Sequence, residues 1–189
     1  MYRNYIKRIL DIVLSAGTIA VLLPVYLIIS ILVIIFMGFP VLFKQERIGK
    51  NEKPFMLYKF RTMTNAMDFQ GKLLSEEKRV TKFGAFLRSS SLDELPELFS
   101  ILKGDMSFVG PRPLPSYYMP YYFPKEKVRH MVRGGLIPPD GLSGKPVVTW
   151  EEQFCYEVDY AKHVSFLLDI KIVYATFTIV VKRIKENYG

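Results

Sequence analysis

The chain has 189 residues, a formal net charge of +8, 50% hydrophobic residues and one cysteine, Cys155. That length fits one domain with an appendage, and a single cysteine excludes an internal disulfide and fits a reducing setting for the polar part. Much of the apolar content forms one block near the N-terminus, so the positive charge points to anionic headgroups or an anionic substrate and away from nucleic acid.

That block comes first. Residues 12–43 contain no charged side chain. A signal peptide is a poor reading, because the stretch is too long and no small-x-small site closes it. As one straight helix it would be about 48 Å long, against roughly 30 Å of hydrocarbon. Pro24 sits inside it and predicts a kink. Basic residues flank both sides: Arg3, Lys7 and Arg8 before it, Lys44, Arg47, Lys50 and Lys53 after it. Basic flanks prefer the cytoplasmic side. A bent helix that enters and leaves one face satisfies both flanks; one tilted span remains the alternative.

Residues 53–63 read as a strand on which Lys59 and Arg61 alternate with apolar neighbours. Residues 65–77 read as loop or short helix, and 82–88 as a short amphipathic piece. Leu92, Leu95, Leu98, Phe99 and Leu102 recur at helical spacing, so a helix runs to about Lys103 and stops at Gly104. Tyr117, Tyr118, Tyr121, Tyr122 and Phe123 suit either a core or a membrane interface. Residues 134–146, rich in Gly and Pro, read as a loop. Residues 150–163 read as a helix. The last segment places Phe166, Ile170, Val173, Phe177, Val180 and Ile184 on one helical face, is apolar on the other side as well, and carries Lys182, Arg183 and Lys185 near its end; Asp169 and Lys171 tell against a full span. The whole reads as an α-dominated α/β protein with a membrane part, 1–43, and a globular part, 44–189.

Two stretches carry candidate chemistry. In Ser89-Ser90-Ser91-Leu92-Asp93-Glu94-Leu95-Pro96, Ser91 and Glu94 match a capping box, with acids in a helix's first turn. Pro96 moves the expected helix start toward Asp93. The same geometry would favour an ionised Asp93, a competent nucleophile toward phosphorus. Both readings stand on the residues alone. In Gly110-Pro111-Arg112-Pro113, prolines on both sides restrict the arginine. A rigid guanidinium fork suits bidentate phosphate binding, or else a structural salt bridge. Lys59 and Arg61 suit a solvated face or phosphate contacts. His130 and His163 have no second ligand at metal spacing, and no GxGxxG or Walker loop is present.

Lys59-Phe60-Arg61-Thr62-Met63, Ser91-Leu92-Asp93-Glu94-Leu95-Pro96, Lys103-Gly104-Asp105-Met106-Ser107 and Val109-Gly110-Pro111-Arg112-Pro113-Leu114 closely resemble the bacterial sugar transferase family. These are small monotopic polyprenyl-phosphate phosphoglycosyl transferases. The resemblance runs from Tyr2-Arg3-Asn4 to the segment containing Asp169. It implies a re-entrant membrane helix-break-helix at Pro24, in the inner leaflet of a bacterial cytoplasmic membrane, with a membrane-associated catalytic part on the cytoplasmic face. It also implies transfer of a sugar-1-phosphate from a UDP-sugar to polyprenyl (undecaprenyl) phosphate, releasing UMP through a covalent phospho-sugar on Asp93. Glu94 is then the dyad partner, Mg2+ bridges the diphosphate near Asp93, Arg112 binds phosphate, Lys59 adds positive charge, and Arg88 meets a lipid headgroup or phosphate. Asp169, Glu157 and Arg61 join the candidate site. A homodimer or downstream glycosyltransferases are the further partners implied, with no nucleic acid. Three departures stand out. Leu23-Pro24 replaces the usual Ser-Pro, residues 134–145 replace a Thr-Gly-x-Ala-Gln-Val-Asn-Gly-Arg run thought to recognise the donor, and Glu157 replaces an Asp. The altered loop leaves a second reading, a catalytically altered relative that acts as a lipid-binding or scaffold protein.

Overall fold

A computed structural model describes residues 1–188, with side chains through Lys182, so the side chains of Arg183, Ile184 and Lys185 lie outside the described residues. A π-helical turn, Tyr2–Ile6, leads into helix α1, Lys7–Met37. The helix continues through Pro24. The expected break is therefore one missing N–H inside a continuous helix, not two separate helices. α1 ends at Gly38, whose φ of 71° places it in the left-handed region that glycine adopts without penalty. The apolar run outlasts the helix: Leu42 and Phe43 open strand β1, Leu42–Ile48, which pairs with β2, Pro54–Phe60. The sequence reading placed those two residues in the membrane block.

By its contacts the chain forms two compact units. This division cuts across the one drawn at residue 43, which rests on the membrane rather than on contacts. One unit comprises Ser15–Gln45 and Leu57–Ser100. Here the later turns of α1 supply Tyr26, Ile29 and Val33 to a core shared with Phe60 of β2 and Leu87, with Leu92 and Leu95 packed against it. Tyr26 Oη donates to the carbonyl of Leu95. After the short helix α2, Glu76–Arg79, comes α3, Lys82–Ser89, capped by Thr81 Oγ1, which accepts from Gly84 N. A Cβ on Gly84 would stand 1.9 Å from the Thr62 carbonyl oxygen, so α3 approaches the strand's exit only with glycine there. Helix α4, Glu97–Lys103, follows.

The other unit comprises Met1–Leu14, Glu46–Met56 and Ile101–Gly189. Strand β3, Met106–Val109, pairs in parallel with β4, Gly134–Ile137, placing Met106 opposite Gly134 and Ser107 opposite Gly135. The expected loop over 134–146 thus begins as a strand, followed by a 3-10 turn, Pro139–Ser143. Its glycines serve close approach rather than turning: a Cβ on Gly135 would stand 2.1 Å from Gly110 N, and one on Gly134 2.5 Å from Pro113 Cγ. Helix α5, Trp150–His163, carries a full capping box between Thr149 and Glu152. Helix α6, Phe166–Tyr188, completes the chain. Val109, Val132, Tyr160, Ala161 and Ile172 form this unit's core.

The polar start of α1 is anchored in this unit. Arg8 donates to the carbonyls of Ile101 and Leu102 at 2.6 and 2.7 Å, satisfying acceptors at the C-terminal end of α4. Asp11 Oδ1 accepts from Ser107 Oγ and Phe108 N, both at 3.1 Å. Asp169, on α6, pairs with Lys7 at 2.6 Å and accepts from the hydroxyls of Tyr2 and Tyr160.

Candidate active site

Asp93 lies on a 3-10 turn, Leu92–Glu94, entered through Ser91 at φ 56° and ψ 16°. An N-cap serine needs an extended backbone. Ser91 is left-handed and its side chain caps nothing, so the expected capping box does not form. The turn does not run straight on as α-helix; α4 starts only at Glu97, after Pro96.

Lys59 projects from β2 into the acidic side of this turn. Its Nζ stands 2.5 Å from Glu94 Oε1 and 3.2 Å from Glu97 Oε1. Burial pulls the Lys59 ammonium down, but Glu97 and Glu94 outweigh it and hold its pKa above the ordinary value. Glu97 is only 5% exposed, and the sequence reading missed it because an acid there looks like ordinary first-turn decoration. Among the described residues Asp93 is the dyad member with no salt bridge of its own. Burial raises its pKa most; Lys59 pulls against that, Glu94 pushes the same way, and a backbone N–H and Arg88 oppose it. The net shift is upward. The backbone N–H favours the ionised carboxylate, as the turn geometry leads one to expect, while burial is the larger influence and opposes it.

This balance makes a measurable prediction. Followed by carboxyl-carbon NMR, Asp93 titrates above the ordinary 3.8 of an aspartate. Lys59→Met removes a stabilising cation and moves that titration further up. Glu94→Gln removes a like charge and moves it down. Shifts of the same sign in both variants would contradict the arrangement.

Arg88, on α3, is exposed and donates from Nε to Thr62 Oγ1 at 3.0 Å. Arg61 is different. It is buried and donates to the carbonyls of Met63, Gly38 and Pro40, so it holds the exit of α1 instead of facing a ligand.

In the other unit, Arg112 projects its side chain outward between buried Pro111 and Pro113, as two flanking prolines predict. Its backbone is held on both sides. The N–H donates to Glu157 Oε1 at 2.8 Å, and the carbonyl accepts from Arg129 Nη2. Arg129 and Glu157 form an ion pair at 2.7 Å, with side chains 1% and 0% exposed. Tyr122 Oη accepts from Arg129, and Gln153 donates to Glu157, completing the network. Burial pushes the Glu157 carboxyl up, with the Arg129 guanidinium opposing it. Glu157 thus supports Arg112 instead of facing a ligand. Arg129 escaped the sequence reading because it sits in a charged run, 125–130, that looks solvated.

A cavity of about 330 Å³ opens beside Arg112, lined also by Asp140, Lys145, Gln153 and Thr176. Asp140 Oδ1 and Thr176 Oγ1 are buried there without a hydrogen-bond partner among the described residues. Asp169 plays the anchoring part described above. The candidate residues therefore fall into two groups: Asp93, Glu94, Lys59 and Arg88 in one unit, Arg112 and Glu157 in the other. Among the described residues no three His, Cys, Asp or Glu side chains stand together as a metal centre.

Residues 2–183 match the family model described as bacterial sugar transferase. The chain is 42% identical over 171 residues to an uncharacterized sugar transferase, EpsL, of Bacillus subtilis, covering 90% of this chain and 85% of that one. It is 35% identical over 180 residues to a UDP-glucose:undecaprenyl-phosphate glucose-1-phosphate transferase of Caulobacter vibrioides, covering 90% and 67%. A protein of the same name from Klebsiella pneumoniae is 36% identical over 181 residues, and there the chain spans 39% of the relative's length. With the match running over nearly its whole length, the chain belongs to the bacterial sugar transferase family.

Proposed function

We propose that the protein transfers a sugar-1-phosphate from a UDP-sugar to undecaprenyl phosphate, as two relatives are named for doing with UDP-glucose, and that it releases UMP. The observation that carries this reading is the half-buried Asp93 carboxylate, held beside a doubly paired Lys59 and, among the described residues, in no salt bridge of its own. In the first step Asp93 attacks the phosphorus bonded to the sugar. The bond to the bridging oxygen breaks, and UMP leaves with that oxygen. In the second step an oxygen of the lipid phosphate attacks the same phosphorus, and Asp93 departs as carboxylate. Burial raises the energy of the ionised nucleophile and so increases its reactivity, while Lys59 keeps it accessible. Glu94 fixes Lys59 against the diphosphate's charge. Arg112, held rigid by its prolines and its backbone bonds, binds a phosphate.

Magnesium suits this donor set, because it takes one or two carboxylates and completes its shell with phosphate and water. Asp93 would hold it together with the donor's diphosphate, whose charge it would neutralise.

The same reading makes α1 re-entrant on the cytoplasmic face of the membrane. α1 is long and apolar enough to cross a bilayer. Basic residues stand at both of its flanks, Arg3, Lys7 and Arg8 before the apolar block and Lys44 and Arg47 after it, and basic flanks prefer the cytoplasmic side. α6 adds to this, exposing Leu167, Tyr174 and Phe177, as an interfacial helix would.

The test is intact mass after incubation with a panel of UDP-sugars and magnesium, without lipid. The expected result is one added sugar-phosphate on Asp93 for the correct donor, discharged by undecaprenyl phosphate. Arg112→Ala should fold and lose turnover by about 100-fold or more, as expected for removing a charged phosphate ligand. No adduct and no UMP release across the panel, with undecaprenyl phosphate still bound, would favour a lipid-binding relative instead.

A further inference from the structure

An apolar groove of about 390 Å³ lies in the unit that carries Asp93. Its walls are Tyr26 and Ser30 of α1, Leu42 of β1, Tyr58 and Phe60 of β2, Phe99 of α4, and Pro96. Three features bear on what occupies it. First, α1 forms one wall and otherwise exposes Leu23, Leu27, Ile31 and Ile35, so the groove belongs to the lipid-facing part of the molecule. Secondly, Pro96 follows Asp93 by three residues, a span of at most about 10 Å even if fully extended. Thirdly, Lys44 Nζ stands 5.8 Å from the centre of the Tyr58 ring, placing a cation against one wall.

We infer that this groove binds the first isoprene units of the polyprenyl phosphate acceptor. The occupant must be apolar and wide enough to fill a groove walled by four aromatic rings. It must also carry an anion at the end that meets Asp93. A polyprenyl phosphate meets these conditions, because its phosphate is the atom group that discharges the phospho-sugar. Bulk phospholipid has no reason to place its headgroup at a buried nucleophile. The groove thus sets the acceptor's register: chain along α1 and β2, phosphate delivered past Pro96. Ser30 is the small residue that leaves the space open, its hydroxyl turned to the Tyr26 carbonyl at 2.7 Å.

This inference rests on the proposed transfer, and its tests separate the two. In the first, Ser30→Phe fills the groove. The KM for undecaprenyl phosphate is expected to rise at least about tenfold, from loss of apolar burial, while the KM for the UDP-sugar changes less than about twofold. Donor and acceptor KM moving together, or neither moving, would overturn the assignment. The second needs no turnover and stands even if transfer is never detected. An undecaprenyl phosphate analogue with a diazirine in its first isoprene units is photolysed with the wild-type protein in vesicles. Label is expected on the peptides holding Tyr58 and Phe99, and excess undecaprenyl phosphate should displace it. Label elsewhere, or equal displacement by dioleoyl phosphatidic acid, would show that the groove is not an isoprenoid site.

Discussion

Asp93→Asn is expected to abolish adduct formation and lower turnover by about 10⁴-fold or more, the scale seen when a covalent nucleophile is removed. The same change should leave the protein as stable or more stable at neutral pH. The sign follows from the direction of the pKa shift. Asp93 has a folded pKa above the ordinary 3.8, chiefly because it is buried. Ionising it therefore costs the folded state more than the unfolded one. That cost appears as pH rises above 3.8 and is fully present above the raised folded pKa. Asn keeps the shape and removes the charge. Activity and thermal melting should move in opposite directions, a trade expected where a reactive group is held in an unfavourable setting. Melting by circular dichroism beside UMP release measures both. A variant that lost activity and stability together would assign Asp93 a structural part instead.

The second large effect lies at Arg129 and Glu157. Both side chains are buried and bonded to each other, and between them they hold the backbone N–H and carbonyl of Arg112. Glu157→Ala leaves a guanidinium buried without its counter-ion, at a cost of about 3–5 kcal/mol. For a chain of this size that lowers the melting temperature on the order of 10 °C. Removing both partners with Arg129→Met and Glu157→Met should recover much of the loss, because no uncompensated charge remains. The double variant gives a second readout. It restores the fold but not the two bonds to Arg112, so its KM for the UDP-sugar should stay raised. A double variant with both stability and KM restored would show that the pair serves packing alone.

The helices were legible because their signals are local. The spacing of Leu95, Leu98 and Leu102 and the stop at Gly104 state an element within one or two turns. Strand β4 was not, because Gly134 and Gly135 look like a turn until Gly110 and Pro113 are seen against them. Strand β1 was hidden by its first two residues, which continue an apolar run that begins inside α1. Among the site residues, Asp93, Glu94 and Arg112 announce themselves through unusual neighbours. Arg129 and Glu97 do not: a charge that is buried and paired at long range has the same letter as one in water. Arg61 was equally opaque, since two of the three carbonyls it binds, those of Gly38 and Pro40, lie more than twenty residues back in the chain.

The anchoring of α1 bears on how the protein can be handled. Its early turns supply Lys7 and Tyr2 to Asp169 and Asp11 to Ser107, and its later turns supply Tyr26, Ile29 and Val33 to the core around Phe60 and Leu87. Cutting the chain after this segment would not release a soluble catalyst. It would strip a buried carboxylate of its counter-ion and open a hole behind the strand that presents Lys59. The greasy N-terminus is thus a structural half of the enzyme and not a detachable tether, and detergent or lipid must accompany it through every purification.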